Sequence, residues 1–240
     1  MRLDLFIAQK ENLTRTRASN LIKLGGVSVN GKVVDKVSFE IKDEDDIQVV
    51  DLIEFDSLGG IKLNHALEYF NISNFSICAD IGASNGGFTS CLLSKGAKKV
   101  YAVDVGECAF SEELKKDSRV VVMDNTNARF LAKKDFPEEI DFLVCDVSFI
   151  SIKNFPQVFY NLLCNNGRGV ILVKPQFEVG KKFLTKSGIV KDAKAREKAL
   201  SEVQEVFKNT GFDIKGITEI PQKFKNKNVE YLMYIIKKFA

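Results

Sequence analysis

The chain has 240 residues, of which 45% are hydrophobic and 28% are charged, and its formal net charge is +3. These values are typical of a globular protein and exclude a disordered chain, while the charge is too small to indicate a nucleic-acid partner by itself. The N-terminus has no apolar run of signal-peptide length, and no stretch approaches the roughly 20 apolar residues that span a bilayer. The five cysteines lie far apart without a C-x-x-C pair, which argues against a zinc ribbon or a disulfide framework. We therefore expect a soluble, cytoplasmic protein with reduced thiols, no metal and no membrane association.

The first fifty residues predict a small α+β unit. Apolar residues recur at helical spacing in LDLFIAQKEN, and Thr14 is placed to cap a second helix that Gly25 and Gly26 end. The sequence VSVNGKVV alternates apolar and polar residues around Asn30 and Gly31, a pair typical of two-residue hairpin turns. We therefore expect two helices followed by a hairpin.

Basic charge is gathered on the helical part of this unit. Residues 1–36 hold seven Lys/Arg against three Asp/Glu, although such a cluster is usually a solvated face. The stretch TRTRASNLIKLGGVSVNGKVV resembles the RNA-binding domain named after ribosomal small-subunit protein four. The resemblance implies that this unit, placed at residues 1–53, docks on structured RNA. The candidate phosphate contacts are Arg15, Arg17 and Lys23.

The character of the chain changes around DSLGG, and we expect a linker at residues 54–60 and a second domain at residues 61–240. In that domain apolar strands alternate with helix-like segments, which predicts a Rossmann-like α/β fold with a mostly parallel sheet covered on both faces. Ligands of such sheets bind at the carboxyl ends of the strands. The strands are predicted at 77–81, 99–104, 119–123, 141–146 and 169–174.

The sequence ICADIGASNGGF begins with the first of these strands, and its glycines predict a tight turn after it. No G-K-[ST] follows it, which excludes a P-loop, and Ser84 replaces the middle glycine of G-x-G-x-x-G. Asp80 at the strand tip would repel a pyrophosphate and would favour a ligand with a positive amino group. Asp104 ends the next strand, where a carboxylate can accept hydrogen bonds from both ribose hydroxyls, and Asp124 after the third strand is in reach of an exocyclic amine.

One ammonium, one ribose and one adenine describe S-adenosylmethionine, which we expect as the cofactor. A nicotinamide dinucleotide remains the alternative, since Asp104 would serve its ribose equally well. The candidate donor contacts are Asp80, Gly82, Ala83, Ser84, Gly86, Gly87, Phe88, Asp104, Asp124, Asn125 and Asp146.

Two further strand ends carry polar residues, Asp146 in CDVSFIS and Lys174 in VILVKPQFE. A lysine that ends an apolar strand is expected to be partly desolvated, which makes the neutral amine accessible and Lys174 a candidate general base. The alternative is a lysine that extends out of the sheet to solvent. Two phenylalanines beside these motifs, Phe149 and Phe177, are candidates either for the core or for the donor or base pocket.

The blocks DIGASNGGFT, GAKKVYAVDVG, RVVVMDNTNAR, CDVSFIS and LVKPQFEVGK resemble, in the right order, the TlyA family. Members of that family are ribosomal RNA 2′-O-methyltransferases, also labelled hemolysins, with a catalytic domain related to the FtsJ/RrmJ enzymes. The resemblance implies a seven-stranded methyltransferase sheet with an antiparallel last strand, and a ribose in ribosomal RNA or ribosomal subunits, that of a cytidine, as substrate. The catalytic tetrad that it implies is Lys62, Asp146, Lys174 and Glu230.

The sequence departs from the family pattern at two places that bear on substrate contacts. Leu58 stands where family members often have arginine, and KFKNKNVE replaces a glycine-rich approach to the last acidic residue of the tetrad. Residues 181–198 hold seven Lys/Arg against two acids, which adds Lys181 and Lys182 as candidate RNA contacts. The rival functions are a non-catalytic RNA-binding assembly factor, against which the intact tetrad argues, and a cytolysin, for which the sequence offers no membrane-active segment.

Overall fold

The computed structural model describes residues 1–50, 57–221 and 228–239. Its N-terminal unit consists of helices α1 (Leu3–Lys10) and α2 (Arg15–Lys23) and strands β1 (Val27–Val29), β2 (Lys32–Val33) and β3 (Ile47–Val49). The strands form an antiparallel sheet in the order β2-β1-β3. Leu3 of α1, Leu21 of α2 and Val27 of β1 belong to one buried cluster, so the predicted small α+β unit is confirmed.

Local sequence signals place the ends of these elements. The Thr14 hydroxyl accepts a hydrogen bond from the backbone N–H of Arg17 at 3.2 Å, which caps α2 as expected. Asn30 and Gly31 have φ angles of +52° and +74°, the left-handed values that a two-residue hairpin turn requires. The hairpin between β1 and β2 is therefore confirmed.

Within the described residues, the larger unit contains a seven-stranded sheet in the order β6-β5-β4-β7-β8-β10-β9. The first five strands are parallel, and β10 runs antiparallel to both of its neighbours. This is the methyltransferase sheet that the family resemblance implies. The strands are β4 (Ile77–Ile81), β5 (Lys99–Val103), β6 (Val120–Met123), β7 (Ile140–Cys145), β8 (Leu163–Val173), β9 (Phe212–Glu219) and β10 (Tyr231–Lys237).

The five predicted strands are confirmed, and β8 is longer than expected. It starts at Leu163, six residues before the predicted start at 169, because Leu163 pairs with Ile140 and Arg168 with Phe142, with an irregularity in the register between them. Asn166 lies in this extension with a φ of +59°. An exposed polar segment of this kind lacks the apolar run that marks a buried strand.

Helices cover both faces of the sheet and bury an apolar cluster on each. On one face Leu63 and Leu92 pack with Val144, and on the other Phe159 and Phe207 pack with Leu143. The helices are α3 (Leu58–Tyr69), α4 (Gly87–Ser94), α5 (Glu112–Lys116), α6 (Pro156–Leu162), α7 (Pro175–Glu178) and α8 (Ala193–Thr210).

The predicted linker at 54–60 falls partly outside the described residues, which exclude 51–56. Its last three residues, 58–60, form the first turn of α3, and Ser57 caps that helix by accepting a hydrogen bond from the N–H of Gly59 at 3.3 Å. The domain limits at residues 53 and 61 stay a prediction. None of the helices in the described ranges is both long and apolar enough to cross a membrane.

Candidate active site

The glycine turn after β4 brings backbone close to backbone. Gly82 has a φ of +86°, and a Cβ at this position would lie 2.8 Å from the carbonyl oxygen of Asp146. Gly86, with a φ of +79°, is the residue before α4 and provides no side-chain cap for that helix. A side chain at Gly82 would be strained and would clash with this backbone, so glycine is required where the turn packs against the residues after β7.

Asp80 lies under this turn and is fully buried. Its Oδ2 accepts a hydrogen bond from the Thr89 hydroxyl at 2.6 Å, whereas Oδ1 has no hydrogen-bond partner among the described atoms. Burial raises the pKa of Asp80 to about 7. A buried carboxylate oxygen without a partner costs free energy, and a ligand ammonium group would remove that cost.

A first cleft of about 390 Å³ opens at the carboxyl ends of β4, β5 and β7. Asp104 lies in its wall, where its two carboxylate oxygens accept hydrogen bonds from the N–H groups of Ser84 and Gly106, each at 2.9 Å. These bonds fix the orientation of the carboxylate at the ribose position that the sequence predicts.

On the side of β6 the cleft is lined by the four residues 126–129, which the sequence reasoning missed. Asp124 instead accepts a hydrogen bond from the N–H of Cys108 at 2.7 Å, and Asn125 occupies the turn that follows with a φ of +51°. Asp124 and Asn125 therefore precede the lining segment without lining the cleft themselves. Their contact with a donor stays a prediction. Asn127 is the polar residue in this lining segment that an adenine edge could use.

The four expected tetrad residues are arranged as two ion pairs. Lys62 donates from Nζ to Oε2 of Glu230 at 2.8 Å, and both side chains are buried. Gln176 donates to the other oxygen, Oε1, at 3.1 Å. Lys174 forms an ion pair with Asp146. It also donates to the Ser148 hydroxyl at 2.7 Å, a contact that the sequence did not predict.

The groups that surround the Lys174 amine therefore differ from those that the sequence predicts. It is 9% exposed, as an inward-facing lysine should be, but it contacts a carboxylate and a hydroxyl instead of an apolar wall. The residues that were missed, Ser148 and Gln176, each lie two positions after a tetrad residue, in D-V-S and K-P-Q. That spacing is the local signal that could have identified them.

The Phe177 ring lies beside the Lys174 amine and contacts the Phe149 ring. The Phe177 ring centroid lies 5.9 Å from Nζ of Lys174 and 5.2 Å from the ring centroid of Phe149. Phe149 is 92% exposed, lines the first cleft and has a φ of +64°, an unusual value for a bulky residue. The backbone therefore holds an exposed apolar ring in the wall of the cleft, next to the ring that borders the lysine.

A second cleft of about 210 Å³ adjoins the first. The two share the lining residues Gly82, Ser84 and Asp146, so they lie next to each other. The rest of the glycine turn forms one side of the second cleft. The opposite side includes residues 57–59 and Lys62 at the start of α3, together with two residues of α2, Thr16 and Asn20.

The expected RNA contacts differ in their exposure to solvent. Lys23, Lys181 and Lys182 are exposed, whereas Arg17 is half-buried. Arg15 is 56% exposed, but its Nε donates to Oδ2 of Asp4 at 2.8 Å.

Arg15 also has a structural role, because it pairs with Asp4. The Asp4 side chain is 1% exposed, and the hydrogen bond from Arg2, supported by Arg15, lowers its pKa to about 2. Arg15 therefore also neutralises a buried charge within the N-terminal unit.

No group of three or more His, Cys, Asp or Glu residues in the described ranges could hold a metal ion.

Comparison with known proteins identifies the family. Residues 55–237 match the model of the FtsJ-like methyltransferases, and residues 1–47 match that of the S4 domain. The chain is 41% identical over 239 residues to Hemolysin A of Brachyspira hyodysenteriae, covering 98% of this chain and 100% of that protein. It is 34% identical over 258 residues to the 23S rRNA (cytidine-2′-O)-methyltransferase TlyA of Campylobacter jejuni, covering 99% and 100%. The solved structure of a hemolysin-labelled protein from Streptococcus thermophilus matches with a TM-score of 0.77 and 35% identity, covering 100% of this chain and 89% of that one. The chain therefore belongs to the FtsJ-like methyltransferase family, alongside the TlyA proteins.

Proposed function

We propose that this protein transfers a methyl group from S-adenosylmethionine to a ribose 2′-hydroxyl, that of a cytidine, in ribosomal RNA. The observation that carries the proposal is the position of Asp146, which lines both clefts and pairs with Lys174. The reacting methyl group must lie beside a group that can take the acceptor proton, and this pair offers such a group at the border of the two clefts.

The residues present fit S-adenosylmethionine. Asp104 offers fixed carboxylate oxygens for the ribose hydroxyls, and Gly82 of the glycine turn lines both clefts. Asp80 provides an unpaired, buried oxygen suited to an ammonium group. When bound, the sulfonium donor supplies an electrophilic methyl group, and the protein's main task is to align it with the acceptor.

Lys174 acts as the proton acceptor, and Asp146 holds its amine in place. Bound S-adenosylmethionine would supply the methyl group and leave the sulfur–methyl bonding electrons on its sulfur, and the Lys174 amine would take the proton that the hydroxyl loses. Lys62 and Glu230 form a second buried pair, which Gln176 links to the segment after Lys174. They are positioning residues for the amine.

RNA recognition is divided between the N-terminal unit and the mouth of the cleft. The match to the S4 domain and the name of the Campylobacter jejuni relative support ribosomal RNA as the substrate. Lys23, Lys181 and Lys182 are exposed cations suited to phosphates. The exposed ring of Phe149, next to the Phe177 ring that borders Lys174, offers a stacking face for an unstacked acceptor base.

The test is transfer of labelled methyl from S-adenosylmethionine to ribosomal subunits and to protein-free ribosomal RNA, followed by mapping of the modified ribose. We expect incorporation at a 2′-oxygen with the parent protein, and none with Lys174→Ala, which should still bind S-adenosylhomocysteine. Lys208→Ala, an exposed lysine of α8, is the matched control and should keep parent activity. Methylation by Lys174→Ala at the parent rate would remove the proposed role of Lys174. Binding of RNA without any methyl transfer by the parent would favour an assembly factor.

A further inference from the structure

We propose that helix α2 of the N-terminal unit completes the donor site, with Asn20 and Thr16 contacting the amino-acid end of S-adenosylmethionine. This inference rests on the proposed function, because it assigns a further part of the same site. It changes the division of labour expected from the sequence, in which the N-terminal unit finds the RNA and contributes nothing to the donor.

The position of the amino-acid end of the donor follows from the lining residues that the two clefts share. Asp104 lies in the first cleft, so the adenosine part of the donor belongs there. The remaining part must run along the glycine turn, which extends from Gly82 in the shared region to Gly87 in the second cleft. Asp146 borders both clefts, which places the sulfur between them and near the Lys174 amine.

The second cleft suits an α-amino acid zwitterion. Helix α4 begins at its wall at Gly87, and the first N–H groups of this helix favour a carboxylate. Gly86 leaves the start of α4 without a side-chain cap. Leu58 lies in the same wall and offers no hydrogen-bonding side chain, so further polar contacts must come from elsewhere.

Asn20 is the independent observation that points to a ligand. Its side chain is 7% exposed, lines the second cleft and makes no hydrogen bond to any described residue. The carboxamide atoms are not among the fully buried atoms without a partner, so they are open to the cleft and available to a ligand. Its N–H groups can donate to a carboxylate while its oxygen accepts from an ammonium, so one neutral residue serves both ends of a zwitterion. Thr16 lies one turn earlier on the same face of α2 and adds a hydroxyl.

Helix α2 also carries the candidate RNA contact Lys23, which is exposed. A helix that contacts both ligands couples them, and such coupling is reciprocal in free energy. Donor binding should therefore strengthen RNA binding, and the effect should depend on Asn20.

The test is calorimetric titration of the full chain with two ligands. S-adenosylhomocysteine has the amino-acid end, and 5′-methylthioadenosine has the same adenosine and sulfur without it. For Asn20→Ala we expect the Kd of S-adenosylhomocysteine to rise by about 10-fold or more, the effect of one lost hydrogen bond to a charged group. The Kd of 5′-methylthioadenosine should stay within about 2-fold of the parent value, because that ligand does not reach α2.

Ser19→Ala is the matched control, since Ser19 lies beside Asn20 on α2 but does not line the second cleft. Thr16→Val is a second variant at an exposed position, and it tests the same contact if Asn20→Ala fails to fold. A parent-like affinity for S-adenosylhomocysteine in both folded variants would overturn the inference and leave the proposed function standing. Equal losses for both ligands would also overturn it, whereas a parent protein that bound neither ligand would overturn both proposals.

Discussion

Replacing one partner of the buried Lys62–Glu230 pair is expected to destabilise the methyltransferase domain severely. The two side chains are 7% and 5% exposed, and their charged atoms are 2.8 Å apart. Removal of one partner leaves the other charge buried without compensation, which costs about 3–5 kcal/mol. Lys62→Met and Glu230→Leu should each lower the free energy of unfolding by that amount.

The double variant separates charge burial from catalysis. With both charges replaced by apolar groups, most of the lost stability should return, because no ion remains buried. The double variant should nevertheless transfer no methyl group, since Lys174 and its neighbour Gln176 lose the pair that positions them. Recovery of both stability and transfer would show that the pair has no part in the reaction.

Urea unfolding followed by far-ultraviolet circular dichroism measures these differences, as the chain has no tryptophan to report by fluorescence. The matched control is Lys198→Met, which breaks a surface pair with Glu202 in which the side chains are 79% and 45% exposed. Exposed pairs contribute about 1 kcal/mol or less, so this variant should unfold like the parent. A change within about 1 kcal/mol for Lys62→Met as well would refute the reasoning from burial.

Three further predictions concern the reaction and the donor. Lys174→Arg keeps a cation beside Asp146 but cannot give up its proton, so transfer should be lost in a labelled-methyl assay while S-adenosylhomocysteine still binds; near-normal turnover would show that charge alone suffices. Asp104→Asn should weaken S-adenosylhomocysteine by about 10-fold or more in calorimetry, because one ribose acceptor is lost, and NADH should not bind the parent more tightly. For Asp80, whose pKa is raised to about 7 by burial, donor affinity should rise as pH increases through 7, since the ionised form attracts the ammonium, and Asp80→Asn should flatten this profile. The same shift lowers the stability of the unliganded protein as pH rises from about 4 to 7, because the folded state retains a proton that the unfolded state has lost.

Much of the fold could be predicted from local sequence patterns. The apolar runs of β4, β5 and β7 are buried on both faces, which makes their signal continuous and easy to recognise. The Asn30-Gly31 turn and the Thr14 cap were equally clear, because each depends on neighbouring residues alone. Patterns of this kind fix an element's type and position more reliably than its partners.

The candidate site was less predictable because its contacts join distant parts of the chain. Lys62 and Glu230 are 168 residues apart, and their pairing could be expected from the family resemblance but not from spacing. Arg15 was expected to face RNA, whereas its contact with buried Asp4 depends on how α1 packs against α2. The approach of Asn20 to the glycine turn depends on the packing of the N-terminal unit against the larger one, which no local pattern encodes.

The position of β10 has a consequence for how the protein is made. Each strand from β5 to β8 finds a neighbour already synthesised, whereas β9 joins the sheet only when β10 has paired with β8 on one side and with β9 on the other. Glu230 directly precedes β10, so Lys62 receives its counter-ion in that same final step. A nascent chain on the ribosome can fold its N-terminal unit early, but its sheet and its buried ion pair are completed together and last.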